Sequence, residues 1–368
     1  MSFFIKAAGL VVLSALIALC TQTVYAQCEI GAFVGNEDHR TPYASEVQNF
    51  ENLAGRHLAS TLFYWSWNDG DFPASDLNTH VRYHDGYNTQ SIVHLTWEPW
   101  SRQGSGDSTY ALQDIVNGSY DSYISQFARD CRAWADPIRL RFAHEMIDDN
   151  DPNTAGWYPW QDNPLAYTQA WNHVHQIFQS EGASNVEFVW SPNHHSTDLN
   201  TLSSYYPGAD KVDWLGIDGY NWGYRTDIEW WGHWLDFDEV FLDLYDTMND
   251  HPEIFGDKKM MVAEFASAEV NMVSEETKAQ WIEETFAKIK SEYSEIDAFY
   301  WFNALKERDW RVDSSPETLL AFQSAMQDVY FTEHVVPEPG TAVLLGTGLL
   351  YVFSNAIKTG NRKGGNRA

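Results

Sequence analysis

Between residues 27 and 335, short apolar runs alternate with longer stretches in which apolar residues recur every third or fourth position. Eight short runs, at 30–34, 60–67, 91–97, 138–144, 186–191, 214–220, 260–265 and 298–302, are rich in β-branched or aromatic residues and bounded by turn formers. That pattern predicts strands. The stretches between them predict helices. Residues 164–181 repeat Ala166, Ala170, Val174 and Phe178 on one helical face. Residues 274–292 predict a helix capped by Ser274, with Glu275 and Glu276 in its first turn. Ser315 followed by Pro316 opens the last helix. Alternation of this density implies parallel strands joined by crossover helices. Eight strands in one unit favour an α/β fold of the (β/α)8 TIM-barrel type over an open doubly wound sheet, and no Gly-rich phosphate loop follows any strand. The chain of 368 residues suits one such domain, and no internal repeat or low-complexity stretch interrupts it.

The two ends read differently. Lys6, the apolar run 7–19 and the small-x-small site Val24-Tyr25-Ala26 predict an export signal over 1–26, removed by signal peptidase. The barrel domain is then expected over 27–335. In 336–368, Val336-Pro337-Glu338-Pro339-Gly340 breaks any helix, 341–353 is largely apolar, and Lys358, Arg362, Lys363 and Arg367 follow. An apolar segment ahead of a basic end reads as a short transmembrane anchor, marginal for a full span. This tripartite tail resembles the PEP-CTERM sorting signal, which implies processing by an exosortase and release at the surface, or into the matrix, of a Gram-negative bacterium. Export permits a disulfide, so Cys28 and Cys131 are read equally as a pair or as two free thiols.

Acidic residues (52) far outnumber Lys and Arg (23), for a formal charge of −29. Nucleic acid and anionic membranes need basic surfaces and are excluded as partners; a neutral substrate fits. There are 17 Trp, more than a core requires. Because Trp is rarely fully buried, many are expected to line a cleft, where flat rings suit the apolar faces of sugars.

In a (β/α)8 barrel the chemistry sits at the C-terminal strand ends. The fourth run ends in Arg141-Phe142-Ala143-His144-Glu145 and the seventh in Met260-Met261-Val262-Ala263-Glu264. Period-two alternation puts Arg141, Ala143 and Glu145 on one face, and Met260, Val262 and Glu264 on another. A carboxylate closing an apolar run needs a partner or a task, since burying it unpaired costs several kcal/mol; Arg141 is a supporting partner for Glu145. Two carboxyl groups about 5–5.5 Å apart suit a retaining glycosidase, one as nucleophile and one as acid/base. No metal or cofactor is expected: His194-His195 and the helical His173 and His175 lack zinc spacing. The acidic stretch 147–152 is read as a solvated turn before a calcium loop. Glu98, closing the third run, is read as a sugar ligand, a tuner of Glu145 or a salt-bridge partner.

Arg141-Phe142-Ala143-His144-Glu145-Met146 with Gly156-Trp157-Tyr158-Pro159-Trp160, then Val189-Trp190-Ser191-Pro192-Asn193, Gly216-Ile217-Asp218-Gly219-Tyr220-Asn221 and Phe299-Tyr300-Trp301-Phe302, resemble motifs of glycoside hydrolase family 26, mostly β-mannanases. The likeness runs over roughly 30–330. It implies Glu145 as acid/base and Glu264 as nucleophile, His144 hydrogen-bonded to the sugar, Tyr220 on the nucleophile, Trp301 as the floor beneath the reacting ring, and Trp157 and Trp160 along the cleft. Trp97 and Asn193 are further expected substrate contacts. The family's Asn-Gly after His-Glu-Met is replaced here by Ile147-Asp148-Asp149-Asn150-Asp151-Pro152. The implied function is a monomeric retaining endo-β-glycanase acting on a neutral polysaccharide, with β-1,4-mannan first and β-1,3-xylan or mixed-linkage β-glucan next. A carbohydrate-binding matrix protein without catalysis is the alternative of another class.

Overall fold

The computed structural model describes residues 27–35, 43–81, 91–104, 106–147, 156–194, 198–224, 233–269 and 275–333. Both expected terminal signals, the whole acidic stretch after Ile147, His195 and Ser274 lie outside them. Eight parallel strands close a barrel: β1 (Cys28–Phe33), β2 (Ser60–Ser66), β3 (Ile92–Glu98), β4 (Ile138–Phe142), β5 (Val186–Trp190), β6 (Trp214–Asn221), β7 (Lys259–Ser267) and β8 (Ile296–Phe302). Neighbours pair in sequence order and β1 pairs with both β8 and β2, so the barrel has no open edge. The eight predicted runs are these strands, shifted by a few residues at the ends. A ninth, unanticipated strand, β9 (Phe331–Thr332), lies parallel to the start of β1 with Cys28 opposite Phe331.

Helices cover the outside: α1 (Ala44–Ala54), α2 (Ala74–Val81), α3 (Leu112–Val116), α4 (Asp121–Trp134), α5 (Pro164–Glu181), α6 (Leu199–Tyr205), α7 (Phe237–Asp250), α8 (Pro252–Phe255), α9 (Lys278–Ser291) and α10 (Pro316–Met326). Helix α5 has the predicted bounds because local chemistry fixes both ends. Asn163 caps Ala166 N–H, Pro164 opens the first turn, and Gly182 closes the helix at φ 71°. Helix α10 likewise begins on the Ser315 cap and Pro316. The helix expected from 274 instead starts at Lys278, where Thr277 and Gln280 form a capping box. Glu275 has φ 62°, which excludes it from a right-handed helix.

Alternation along each strand sorts its side chains between the barrel interior and the helix layer. At the lower end of the interior, Arg139 bonds Tyr300 Oη (2.9 Å), pairs with Glu29 (2.7 Å) and covers the Trp214 ring at 4.2 Å. The outward residues build an aromatic layer beneath the helices. The expectation that surplus tryptophans line a cleft is corrected here: Trp97, Trp160, Trp171, Trp190, Trp214, Trp301 and Trp310 are fully buried. Cys28 and Cys131 are separate, buried free thiols, both pushed well above the usual thiol range by burial. Among the described residues no helix is long and apolar enough to cross a membrane.

Candidate active site

The site is assembled around Arg141, which points into the barrel from β4 and is completely buried. Its Nη1 donates to Asp218 Oδ1 on β6 (2.8 Å), its Nη2 to Glu264 Oε2 on β7 (2.8 Å), and its Nε to Thr96 Oγ1 on β3 (2.9 Å). Ser191 Oγ also donates to Asp218 Oδ1 (2.8 Å). One guanidinium fork therefore ties three strands to β4 at the level of the mouth. Losing one partner of such a buried pair costs about 3–5 kcal/mol. Arg141 supports Glu264 directly, where the sequence had paired it with Glu145.

Glu264 is held from three directions. Besides Arg141, the Tyr64 hydroxyl donates to Oε2 and the Tyr220 hydroxyl to Oε1, so both oxygens have fixed orientations. The strand carrying it is locally irregular. Val262 pairs with Ile217 and Glu264 with Asp218, leaving Ala263 as an extra residue. Gly216 makes room for it: a Cβ there would stand 2.8 Å from Ser191 Cβ and 3.1 Å from Ala263 Cβ.

Glu145 arrives by a different route from the one alternation suggested. β4 ends at Phe142, and Ala143 and Glu145 take φ values of 47° and 49°, a left-handed conformation uncommon for residues with a Cβ. Ala143 N–H bonds Trp97 O (3.1 Å) and Glu145 N–H bonds Ser191 O (2.9 Å), anchoring the bend to the strands on either side. Gln161 Nε2 closes it from above onto Glu145 O (2.9 Å). Burial holds the Glu145 carboxyl well above the usual carboxylate range, reinforced by the charges of Glu264 and Asp218 and opposed by Arg141 and Lys306. Burial also raises Asp218, against the pull of Arg141. The mouth therefore presents one carboxyl pinned by three donors and another that tends to keep its proton.

A family model described as Glycosyl hydrolase family 26 matches residues 105–299, more than half of the chain. The chain belongs to glycosyl hydrolase family 26. It is 35% identical over 307 residues to Endoglucanase H of Acetivibrio thermocellus, a match covering 81% of this chain and 30% of that protein. It is 28% identical over 128 residues to Beta-1,3-xylanase TXYA of a Vibrio species, covering 33% of this chain and 26% of that one. The chain thus spans less than a third of the length of these curated relatives. The catalytic domain of a Bacillus sp. JAMB-750 endo-β-1,4-mannanase superposes with a TM-score of 0.58 at 17% identity, covering 83% of this chain and 87% of that one; that likeness concerns the fold.

The remaining expected contacts of this family 26 chain divide into two groups. At the mouth stand Tyr220 and His144, the latter bonded through Nε2 to the Tyr158 hydroxyl (3.3 Å) and lying edge-on to Tyr64 at 6.0 Å. Trp157, on the connection after β4, is 49% exposed. Asn193 is nearly buried, with Nδ2 spent on Ile147 O (3.0 Å). The other group faces away. Trp97 stacks on Phe127 of α4 at 4.4 Å, and Trp301 packs on Phe265 of β7 at 5.2 Å and Phe322 of α10 at 5.6 Å. Both belong to the outward face of their strands, which corrects the sugar contacts expected of them. Trp160 stacks on Tyr158 (4.5 Å) and donates to His144 O (2.6 Å), so it backs His144 from within the protein. Glu98 lies 3.6 Å from Arg102, which also grips Asp69, in agreement with the salt-bridge reading.

Several site residues went unassigned in the sequence. Tyr64, Asp218, Thr96 and Ser191 form the cage around Arg141 and Glu264. Phe33 and Phe302 stack at 4.8 Å beside Tyr64, and Trp222 and Trp310 flank Tyr220 at 5.9 and 5.0 Å. Period-two counting from Ser60 would have found Tyr64, and counting back from Tyr220 would have found Asp218. Among the described residues no cluster of three or more His, Cys, Asp or Glu side chains is placed to hold a metal.

Proposed function

We propose that the chain is a retaining endo-β-glycanase working by double displacement, with Glu264 as nucleophile and Glu145 as acid/base. The observation that carries this reading is the contrast between the two carboxyl groups. Arg141, Tyr64 and Tyr220 converge on Glu264 and aim its oxygens, while burial and neighbouring negative charge raise the Glu145 carboxyl well above its usual range. Environments that split two carboxyl groups in this way assign the acid and the base. In the first step Glu264 attacks the anomeric carbon, the glycosidic C–O bond breaks, and Glu145 gives its proton to the leaving oxygen. In the second, Glu145 takes a proton from water, whose oxygen displaces Glu264 and restores the configuration.

For the substrate, we place a neutral β-glucan, mixed-linkage glucan included, ahead of β-1,4-mannan. The relative with the longest sequence match among those described bears an endoglucanase name, whereas the mannanase superposition stands at an identity that speaks to fold alone. β-1,3-Xylan stays in view through the shorter Vibrio match. The leader and tail further support export to the cell surface or matrix, with signal peptidase and an exosortase as processing partners.

The test is product release by the purified chain on mixed-linkage glucan, carboxymethyl cellulose, mannan and β-1,3-xylan, beside Glu264→Ala. Turnover of a glucan that vanishes in the variant is the expected result. Binding without hydrolysis on every polymer, equal in both proteins, would overturn it in favour of a carbohydrate-binding matrix protein.

A further inference from the structure

Lys278 is the first residue of α9, yet its side chain is wholly buried. Burying an ammonium is costly unless every proton finds an acceptor. Here all three do: Nζ donates to Asp309 O (2.6 Å), Arg311 O (3.0 Å) and Ser314 Oγ (2.8 Å), and Glu269 Oε2 lies 3.5 Å away. Glu269, on the connection leaving β7, also accepts from Ser314 Oγ (2.5 Å) and Thr318 Oγ1 (3.1 Å). The β7–α9 and β8–α10 connections are therefore fastened to each other by a single cation and its counter-ion.

The two carbonyls that Lys278 grips belong to the residues on either side of Trp310. That residue is fixed at its own backbone as well, its N–H on Ala304 O (3.0 Å) and its carbonyl accepting from Trp301 Nε1 (2.9 Å). Its ring lies 5.0 Å from Tyr220 and 5.1 Å, edge-on, from Trp222. The same connection reaches Trp222 a second time through Arg308 Nε, which donates to Trp222 O (3.1 Å). Tyr220 in turn donates to Glu264. A continuous line of contacts thus runs from Lys278 to the carboxylate read as the nucleophile.

We propose that Lys278 is a positioning residue, clasping the β8–α10 connection so that Trp310 holds the Tyr220 hydroxyl on Glu264. This inference rests on the glycosidase reading for its kinetic consequence but not for its structural one. The charged groups facing the ammonium are Glu269 from the β7–α9 connection and Asp309 and Arg311 from the β8–α10 connection. Burial pulls Lys278 down to about 8, with Glu269 and Asp309 opposing that fall and Arg311 adding to it, so near neutrality it keeps the third proton the clasp requires.

The experiment has two arms on the full chain. In the first, acrylamide quenching of Trp310, isolated as the difference between the chain and Trp310→Phe, is compared with and without Lys278→Met. The clasp predicts a severalfold rise in Trp310 quenching, with none on Lys290→Met, whose partner Asp328 lies at the surface pair. In the second, kinetics on the polymer the chain turns over should show kcat reduced about tenfold by Lys278→Met, since displacements near 1 Å cost that and more, while KM moves by no more than about twofold. Trp310→Phe should lower kcat in the same way, and the double variant should lose little beyond the worse single one, because the two act as a unit. Lys278→Gln, which still offers donors, should recover part of the loss and stands in if the methionine variant fails to fold. Unchanged quenching, or losses that simply multiply in the double variant, would overturn the proposal. An unsubstituted chain without turnover would instead sink the glycosidase reading, and the quenching arm would still decide the clasp.

Discussion

The contrast between Glu264 and Glu145 turns on which groups surround each carboxyl. Arg141→Met would leave Asp218 and Glu264 buried without their shared cation. We expect a loss of about 3–5 kcal/mol, measured by denaturant unfolding, together with loss of turnover in whatever folds. Glu145 gives a prediction of opposite sign. Its folded-state pKa is raised, so as pH climbs above the ordinary carboxylate value the unfolded chain releases a proton that the folded chain retains, and stability falls. Glu145→Gln removes that penalty. The variant should melt above the parent at pH 7, by about 2–4 °C per kcal/mol recovered, with the gap closing near pH 4; equal melting temperatures at both pH values would contradict it. The two glutamates and Arg141 were legible because charged residues at the end of apolar runs stand out. Trp97 and Trp301 were misread because an aromatic type carries no information about which face of the strand it occupies. Alternation does, and it sets Trp301 opposite to Tyr300 and Phe302.

At the level of strands and turns, two irregularities place the two carboxyl groups: the left-handed bend at Ala143 and Glu145, and the extra residue at Ala263. Neither was visible in the sequence, since backbone conformation at a strand end depends on what the neighbouring strands offer. Gly216 tests the second. Gly216→Ala would bring a Cβ to 2.6 Å from Ser191 Oγ. Overpacking of this kind costs roughly 1–3 kcal/mol, and it should also lower kcat by disturbing the Ser191–Asp218–Arg141 chain. Gly31→Ala is the control. Its Cβ would meet the Tyr300 ring at 2.5 Å and Phe299 O at 2.7 Å, at the lower end of the barrel where Tyr300 bonds Arg139, so stability should fall while kcat per folded molecule holds. Equal kcat losses in both variants would show that the irregularity on β7 has no special role. Helix α5 and the start of α10 were read correctly because their caps are written in local residues. Helix α9 was started too early because Ser274 and Thr277 are both credible caps, and the positive φ of Glu275 decides between them.

Over the whole molecule, the barrel brings residues from seven strands into one mouth although they are scattered from Phe33 to Phe302. Its closure was legible from the count of apolar runs, whereas β9 was too short to leave a pattern. The substrate was not legible, because the path of the connections around the mouth, the one carrying Trp157 among them, is set by tertiary packing. A 2-deoxy-2-fluoro-β-glycoside of the sugar that the chain hydrolyses, with a good leaving group, should slow the second displacement and leave the sugar on the nucleophile. Mass spectrometry of the digested chain should then find one added fluoroglycosyl unit on the peptide containing Glu264. A label on Glu145, or no label from a chain that turns over the parent glycoside, would contradict the assignment.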